Sequence, residues 1–448
     1  MTAPAICKSL PRTQVVVIGG GFTGLSAAYE LALQGIQVTV LEAADEIGGL
    51  AAAFDIGGTR LDRFYHHWFT SDHEALALVR ELGLQNLLEI NPTNTGLYYA
   101  NTVFRLSSPL DLLRFAPLPL TDRLRLGLLA LRARRVRDWR ELEAMTAREW
   151  LIAMGGENVF RVVWQPLLEG KFGPYADEVS AVWFWNKLKL RGGSRGRRGE
   201  ERLAYLRGGF VELVQALADR ICALGGRIET ACPVLATQPA SDGWTTKTTH
   251  STIRSDRVLL TTALPLAADL IGDWASESVV QQLRRVRYLG NICLILALDR
   301  PLSSTYWLNV NEPGFPFVGV IEHTNFEDAA HYGGRHIVYL SKYLPITEPL
   351  FGMNRDELLD YALPYLQKMF PALQRDWILE HHLWKAEWSQ PIVERGYGAM
   401  LSPLNGLAEG LHLCSMAQIY PEDRGTNYAI RQGRAVGRQI AGHFKVMQ

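Results

Sequence analysis

Residues 13–49 read TQVVVIGGGFTGLSAAYELALQGIQVTVLEAADEIGG, and this stretch decides the fold. Val15, Val16, Val17 and Ile18 form an apolar run of the kind found in a parallel strand covered on both faces. Gly19, Gly21 and Gly24 follow in a GxGxxG pattern, and Leu25, Ala28 and Leu31 then recur at helical spacing. Gly35 stops that helix, and a second strand, Val38 to Leu41, ends on Glu42. Gly19 permits a tight turn, Gly21 lets backbone approach a pyrophosphate, and Gly24 lets helix pack on strand. The helix N-terminus offers unpaired N–H groups and positive dipole to phosphate. Glu42 lies 18 residues beyond Gly24, where a carboxylate reaches both ribose hydroxyls of an adenosine and repels a 2′-phosphate. The reading is a dinucleotide site that disfavours NADP. Its candidate contacts are Gly19, Gly21, Phe22, Thr23, Gly24, Glu42 and Ala43.

Working outward, four residues separate Ala43 from Gly48-Gly49. From Val15 to Gly49 the chain resembles the FAD superfamily of monoamine oxidases, protoporphyrinogen oxidases, phytoene desaturases and UDP-galactopyranose mutases. The resemblance implies FAD as cofactor, with Gly48 and Gly49 at the nucleotide. It departs at Leu50, where the family usually has Arg or Lys. Three later blocks fit the same family. Leu206 to Phe210, an amphipathic helix and Gly225-Gly226 lead to Pro233-Val234, and the resemblance implies that Val234 lies near the adenine edge. Thr262-Ala263-Leu264-Pro265 resembles the family's return to the nucleotide-binding sheet. Leu411 to Cys414, then Arg424-Gly425-Thr426-Asn427-Tyr428 and a helix to Ile440, resembles the block that aims a helix N-terminus at the flavin. It implies contacts from Gly425, Thr426 and Asn427. Ser415-Met416 stands where the family often has Gly-Asp, and Glu422 or Asp423 is the substitute acid.

The expected fold class is α/β, a discontinuous Rossmann-like FAD-binding domain with an interleaved α+β substrate domain. The expected boundaries are 12–66, 204–266 and 405–446 for the first, and 67–203 and 267–404 for the second. A chain of 448 residues suits two domains at ~100–200 residues each. Apolar residues at 48% and charged residues at 21% are ordinary for a globular protein. Lys+Arg and Asp+Glu both total 46, so bulk nucleic-acid binding is not expected. Cys7, Cys222, Cys232, Cys293 and Cys414 form no CxxC pair, so neither zinc nor a redox dithiol is expected. No signal peptide and no membrane span are read. The expected location is the cytoplasm, with peripheral membrane contact as a further expectation.

Two basic stretches stand out. Residues 121–140 read as a helix with Leu126, Leu129, Ala133 and Val136 on one stripe and Arg123, Arg125, Arg132, Arg134, Arg135 and Arg137 around it. The readings are a membrane-surface helix or a solvated arginine face over ordinary packing. Lys187 to Arg207, with Arg191, Arg195, Arg197 and Arg198 among glycines, reads as a cationic loop that clamps an anion, or as a solvated loop.

Hydride transfer to a flavin needs a dry pocket and alignment more than a fixed acid or base, so catalytic candidates come from position. Phe64 to Phe69 holds His66-His67, and the resemblance to mutases sets His67 beside the flavin while His66 points away. Leu167 to Gly173, with Val179-Ser180, resembles a protoporphyrinogen oxidase segment and makes Lys171 a candidate for an acidic group. Trp384 to Tyr397 resembles the strand pair where amine oxidases sandwich the substrate, with Trp388 and Tyr397 as candidates. The amine-oxidase lysine is absent from Gly290 to Leu296, so amine oxidation is not assigned. The sequence therefore points to an FAD-dependent oxidoreductase acting on a largely apolar or lipid-like small molecule. The alternatives are a non-redox mutase on a nucleotide or lipid-linked sugar and a flavin-free binding module.

Overall fold

The computed structural model describes residues 13–105, 109–193, 201–401 and 406–446. Cys7 and the arginines at 195, 197 and 198 lie outside them. The fold is mixed α/β, and its strands gather mainly into two seven-stranded sheets. In the first, β1 (Thr13–Ile18) is central. It runs parallel to β2 (Val38–Leu41) on one side and to Thr252–Leu260 on the other, with Ile18 level with both Leu41 and Leu260. Arg227–Glu229 extends the sheet beyond β2, and Leu411–Leu413 adds in parallel beside the end of Thr252–Leu260. A meander, Val234–Ala240 and Gly243–Thr248, pairs antiparallel with the start of that strand. The strands neighbouring β1 lie on opposite sides, so a crevice opens at its carboxyl end, the usual place for a ligand in such a sheet.

The second sheet is built around Tyr288–Leu298, buried along almost its whole length between Ile378–Pro391 and His336–Leu344. Gly319–Glu322, Trp307–Val310 and the hairpin Thr95–Tyr99/Thr102–Arg105 complete it. A continuous apolar core joins the sheets: Val15, Val17 and Leu25 pack in the same cluster as Cys293, Ile295 and Tyr339. Between the sheets in sequence lies a helical layer, Leu120–Ala133, Ala147–Gly155, Gln165–Phe172 and Ala181–Gly193.

Local chemistry moves several boundaries from the sequence reading. The helix expected over 121–140 stops at Ala133, whose carbonyl takes a hydrogen bond from Trp185 Nε1 at 2.8 Å. Asp138 then caps a separate short turn by accepting from Arg140 N. Lys187, expected in a loop, stands on the helix Ala181–Gly193. Tyr397, expected on a strand, opens the short helix Tyr397–Leu401, since the strand before it ends at Pro391. Among the described residues no helix is long and apolar enough to cross a membrane.

Candidate functional site

The glycine loop is shaped by near-contacts that only glycine tolerates. Gly19 has φ +112°, and a Cβ there would lie 2.5 Å from Thr261 Oγ1. At Gly24 a Cβ would lie 2.0 Å from Gly19 O, so the first helix, α1 (Phe22–Leu33), seats on β1 only through glycine. Gly21 is different: its φ is −80°, open to any residue, and a Cβ there meets nothing within 4 Å. Open space thus lies over the amino end of α1, where Phe22 and Thr23 are buried in the first turn. Gly48 N donates to Gly20 O at 2.9 Å, and a Cβ on Gly49 would lie 3.5 Å from Gly21 Cα, so the second glycine pair lines the same space.

Glu42 leaves the end of β2 and accepts from Gly20 N at 2.7 Å and Ala44 N at 2.9 Å. Each oxygen keeps a lone pair for a further donor. Ala231 N donates to Ala44 O and Cys232 N to Glu42 O, which draws the segment leading to Val234 alongside Glu42-Ala43. Across the crevice Thr261 Oγ1 donates to Ile18 O at 2.9 Å, while the buried Thr262 Oγ1 finds no partner. A cradle at Gly21 that a side chain would fill, an orphan hydroxyl at Thr262 and a carboxylate with spare acceptors fit a dinucleotide.

A second helix amino end completes the site. In the helix Thr426–Val446, a Cβ on Gly433 would lie 2.3 Å from Thr23 O, and one on Gly437 2.7 Å from Ala27 O. Both contacts advance by four residues together, so this helix lies parallel to α1 and in backbone contact with it. Its first turn therefore reaches six residues, about 9 Å, beyond that of α1 at ~1.5 Å per residue. Two positive dipole ends stand stepped along one direction, one suited to a pyrophosphate and the other to negative charge on a more distant ring. Trp68 Nε1 donates to Thr426 Oγ1 at 2.7 Å and Ala75 N to Asn427 Oδ1 at 3.1 Å. Gly425 O accepts from Tyr428 N and Ala429 N. Buried Glu30 of α1 holds Arg434 and Arg438, which keeps the pair of helices in register.

Just ahead of that helix sits a compact set of charges. Asp423 accepts from Trp183 Nε1 at 2.7 Å and pairs with Lys187. Burial alone would raise its carboxyl, but Lys187, Lys171 and Arg424 hold it well below the usual range. Arg424 donates to Gln390 Oε1 and Tyr343 OH, both at 3.0 Å. Lys171 Nζ lies 5.0 Å from the Tyr343 ring and 5.3 Å from the Trp183 ring, and burial lowers its pKa to about 8. Of the residues picked from sequence, Lys171 and Asp423 meet here. The sequence marks Arg424 only as part of its block, and nothing local in it marks Tyr343, Gln390 or Trp183. For Tyr343 the only signal is strand alternation with Tyr339 and Ser341, which cannot say what the face meets.

The two histidines take different surroundings. His67 Nδ1 lies 3.1 Å from Tyr306 OH, with its ring edge-on to Phe69 and Trp307. His66 packs on Phe210 with Nδ1 buried and unpartnered, and burial lowers its pKa to about 4. Tyr397, expected against the substrate, is instead fully buried with its hydroxyl on Ala417 O at 2.9 Å. Trp388 stands edge-on to Tyr288 at 5.6 Å. Among the described residues no His/Cys/Asp/Glu group is arranged to hold a metal, and His381 and His382 contact Asp356 and Glu380 separately.

Comparison with known proteins agrees with this geometry. The chain is 31% identical over 110 residues to the mitochondrial protoporphyrinogen oxidase of Nicotiana tabacum, covering 24% of this chain and 22% of that protein. It is 25% identical over 184 residues to coproporphyrinogen III oxidase of Bacillus subtilis, covering 38% and 39%. The matched stretches thus span less than half the length of these curated relatives. Reduced UDP-galactopyranose mutase superposes with a TM-score of 0.76 over 96% of both chains at 16% identity, a likeness of fold alone. The pattern of one family, described as flavin containing amine oxidoreductase, matches residues 22–441. With FAD as the cofactor that the stepped helices and glycine cradle accommodate, the chain belongs to the flavin containing amine oxidoreductase family.

Proposed function

We propose that the protein is an FAD-dependent oxidoreductase that oxidises or desaturates a largely apolar small molecule. The observation that carries this is the intact nucleotide cradle combined with a second helix amino end placed beyond it. When bound, FAD supplies the hydride acceptor. The chain's own residues supply the rest. Gly19, Gly21, Gly24, Gly48, Gly49 and Glu42 hold the nucleotide, with Thr262 and the Val234 segment flanking it. Gly425, Thr426 and Asn427 present the distant helix end. Lys171, with its pKa near 8, takes a proton from the substrate or pairs with an acidic group on it. His67, set by Tyr306, orients the substrate from the loop before Trp68–Phe69, and the reading gives Tyr397 a packing role. It also includes peripheral membrane contact through the helix Leu120–Ala133.

The mutase alternative has the fold likeness to UDP-galactopyranose mutase behind it, and the comparisons do not favour it. Purified protein is mixed anaerobically with apolar candidates, including porphyrinogens and polyenes, and the flavin absorbance is followed. Bleaching by such a compound, with product formed in equal amount, supports the reading. Turnover of a sugar nucleotide only after chemical reduction overturns it in favour of the mutase. His67→Ala separates the roles further: FAD is retained and reduction of the flavin by substrate slows by ~10²-fold or more if the histidine acts in proton transfer, and by less if it only orients the substrate.

A further inference from the structure

The helix Leu120–Ala133 is apolar on two opposite faces. Leu126, Leu129 and Ala133 point into the core. At about 100° per residue, Leu120, Leu124, Leu128 and Leu131 fall within an arc of about 80° on the other side. These four are 64%, 60%, 48% and 55% exposed. Leu110 and Leu113, on the short helix Pro109–Leu113 just before, are exposed as well. Arg123 ties the two helices by donating to Leu118 O at 2.7 Å and to Leu113 O. The leucines thus form a row held by the fold rather than a floppy segment.

Charge borders the row. On the same wheel Arg125 and Arg132 lie to one side of the leucines and Arg123 to the other, with Arg134 following the helix end. Residues 109–137 contain seven arginines against two aspartates, and one of those, Asp122, is buried and paired with Arg125. Arg132, Arg134 and Arg135 are exposed, and their guanidinium groups make no hydrogen bond or ion pair among the described residues.

A contiguous apolar row of this size is rare on the free surface of a soluble chain. Protein interfaces anchor on Trp, Tyr and Arg at the centre, with Leu under-represented, whereas here the centre is leucine alone and every cation sits at the rim. A row of leucines edged by guanidinium groups that reach sideways and up is the arrangement of a helix lying flat in a lipid headgroup layer. We infer that the leucine row of Leu120–Ala133, with the helix before it, inserts into an anionic bilayer surface while the flanking arginines meet lipid phosphates. This sharpens the peripheral contact proposed above and is independent of the flavin chemistry.

The test uses full-length holoenzyme and sedimentation with vesicles of phosphatidylcholine alone or of equal parts phosphatidylcholine and phosphatidylglycerol. The wild-type protein is expected to bind the mixed vesicles and to be released by salt. Leu124→Ser/Leu128→Ser/Leu131→Ser should bind at least tenfold more weakly with unchanged flavin content and melting temperature. Arg132→Glu/Arg134→Glu/Arg135→Glu should bind more weakly and lose its salt dependence. The inference is overturned if wild-type stays in the supernatant or if the leucine variant binds as wild-type does. It is also overturned if light scattering shows a dimer that the leucine variant breaks without change in vesicle binding, for then a second copy covers the row. As a readout independent of the variant's folding, Leu128→Cys in a Cys7→Ser/Cys222→Ser background, which leaves only the buried Cys232, Cys293 and Cys414, carries a polarity-sensitive dye. Its emission should shift blue with mixed vesicles, while a dye at Leu379→Cys, exposed on the second sheet, should not; equal behaviour of the two dyes counts against the inference.

Discussion

At the scale of single residues, the glycines separate binding from folding. Gly21 has ordinary backbone angles and free space before it, so Gly21→Val should fold with the stability of the cofactor-free wild type and purify colourless. Gly24→Ala meets Gly19 O and should lower expression and stability as well as flavin content. Absorbance at the flavin band and a urea midpoint distinguish the two; a yellow Gly21→Val with full FAD content would show the cradle to lie elsewhere. The turn and the close helix–strand contact were legible in the sequence because spacing within one strand–turn–helix unit sets them. The charge cluster was not, since Lys171, Tyr343 and Asp423 meet only after separate segments fold together. A further residue sets a pH dependence. Asp62 is buried, accepts from Tyr205 OH at 2.9 Å and Phe210 N at 3.0 Å, and burial pushes its pKa up to about 7. The folded state therefore holds this proton more tightly than the unfolded chain, whose value is ~3.9. Its contribution is fullest below about pH 4, falls as pH rises through that window, and levels off above about pH 7. Asp62→Asn should remove this part, so the urea midpoint of wild type minus variant should decline from pH 5 to pH 8. A difference that stays flat would show the carboxyl to be ionised throughout.

At the scale of elements, the contact between α1 and the helix Thr426–Val446 carries most of the consequence. Gly433→Ala places a methyl 2.3 Å from Thr23 O, a backbone atom that cannot step aside. The helices must part, at a cost of ~1–3 kcal/mol, and the distant dipole end shifts from the cofactor. Thermal melts and flavin content should both fall. Gly442→Ala, on the same helix with nothing within 4 Å, is the control and should be neutral or stabilising by up to ~1 kcal/mol. If both variants behave alike, the glycine contact is not what sets the helix. Parallel strands, α1 and the C-terminal helix were readable from apolar runs and glycine punctuation. The outward leucines of Leu120–Ala133 were not, because one apolar stripe already satisfied the expectation of a packed helix, and a second stripe of the same residue type looks like more core. The early stop at Ala133 was equally hidden, since it is set by Trp185, fifty-two residues away.

At the scale of the whole molecule, the first sheet and the core it shares with the second mean that cofactor and fold are linked. FAD at a hundredfold over its dissociation constant should add ~2.7 kcal/mol to stability. Adding FAD to stripped protein should therefore raise the melting temperature of wild type and leave that of Gly21→Val unchanged. The presence of two sheets was legible from blocks of family resemblance, whereas the pairing of Thr95–Tyr99 with Trp307–Val310 joins segments no local pattern connects. The sheet order has a last consequence, for the ribosome. β1 pairs on its second side with Thr252–Leu260, which emerges some 230 residues later, and at ~5–20 residues per second β1 waits roughly 10–50 s with an open edge of valines. The helix that begins at Thr426 comes later still. A growing chain thus displays its phosphate loop long before it owns the far end of the site. A chain interrupted before that helix carries the glycine cradle without the second dipole end, so the two halves of the site are separated in time as they are in sequence.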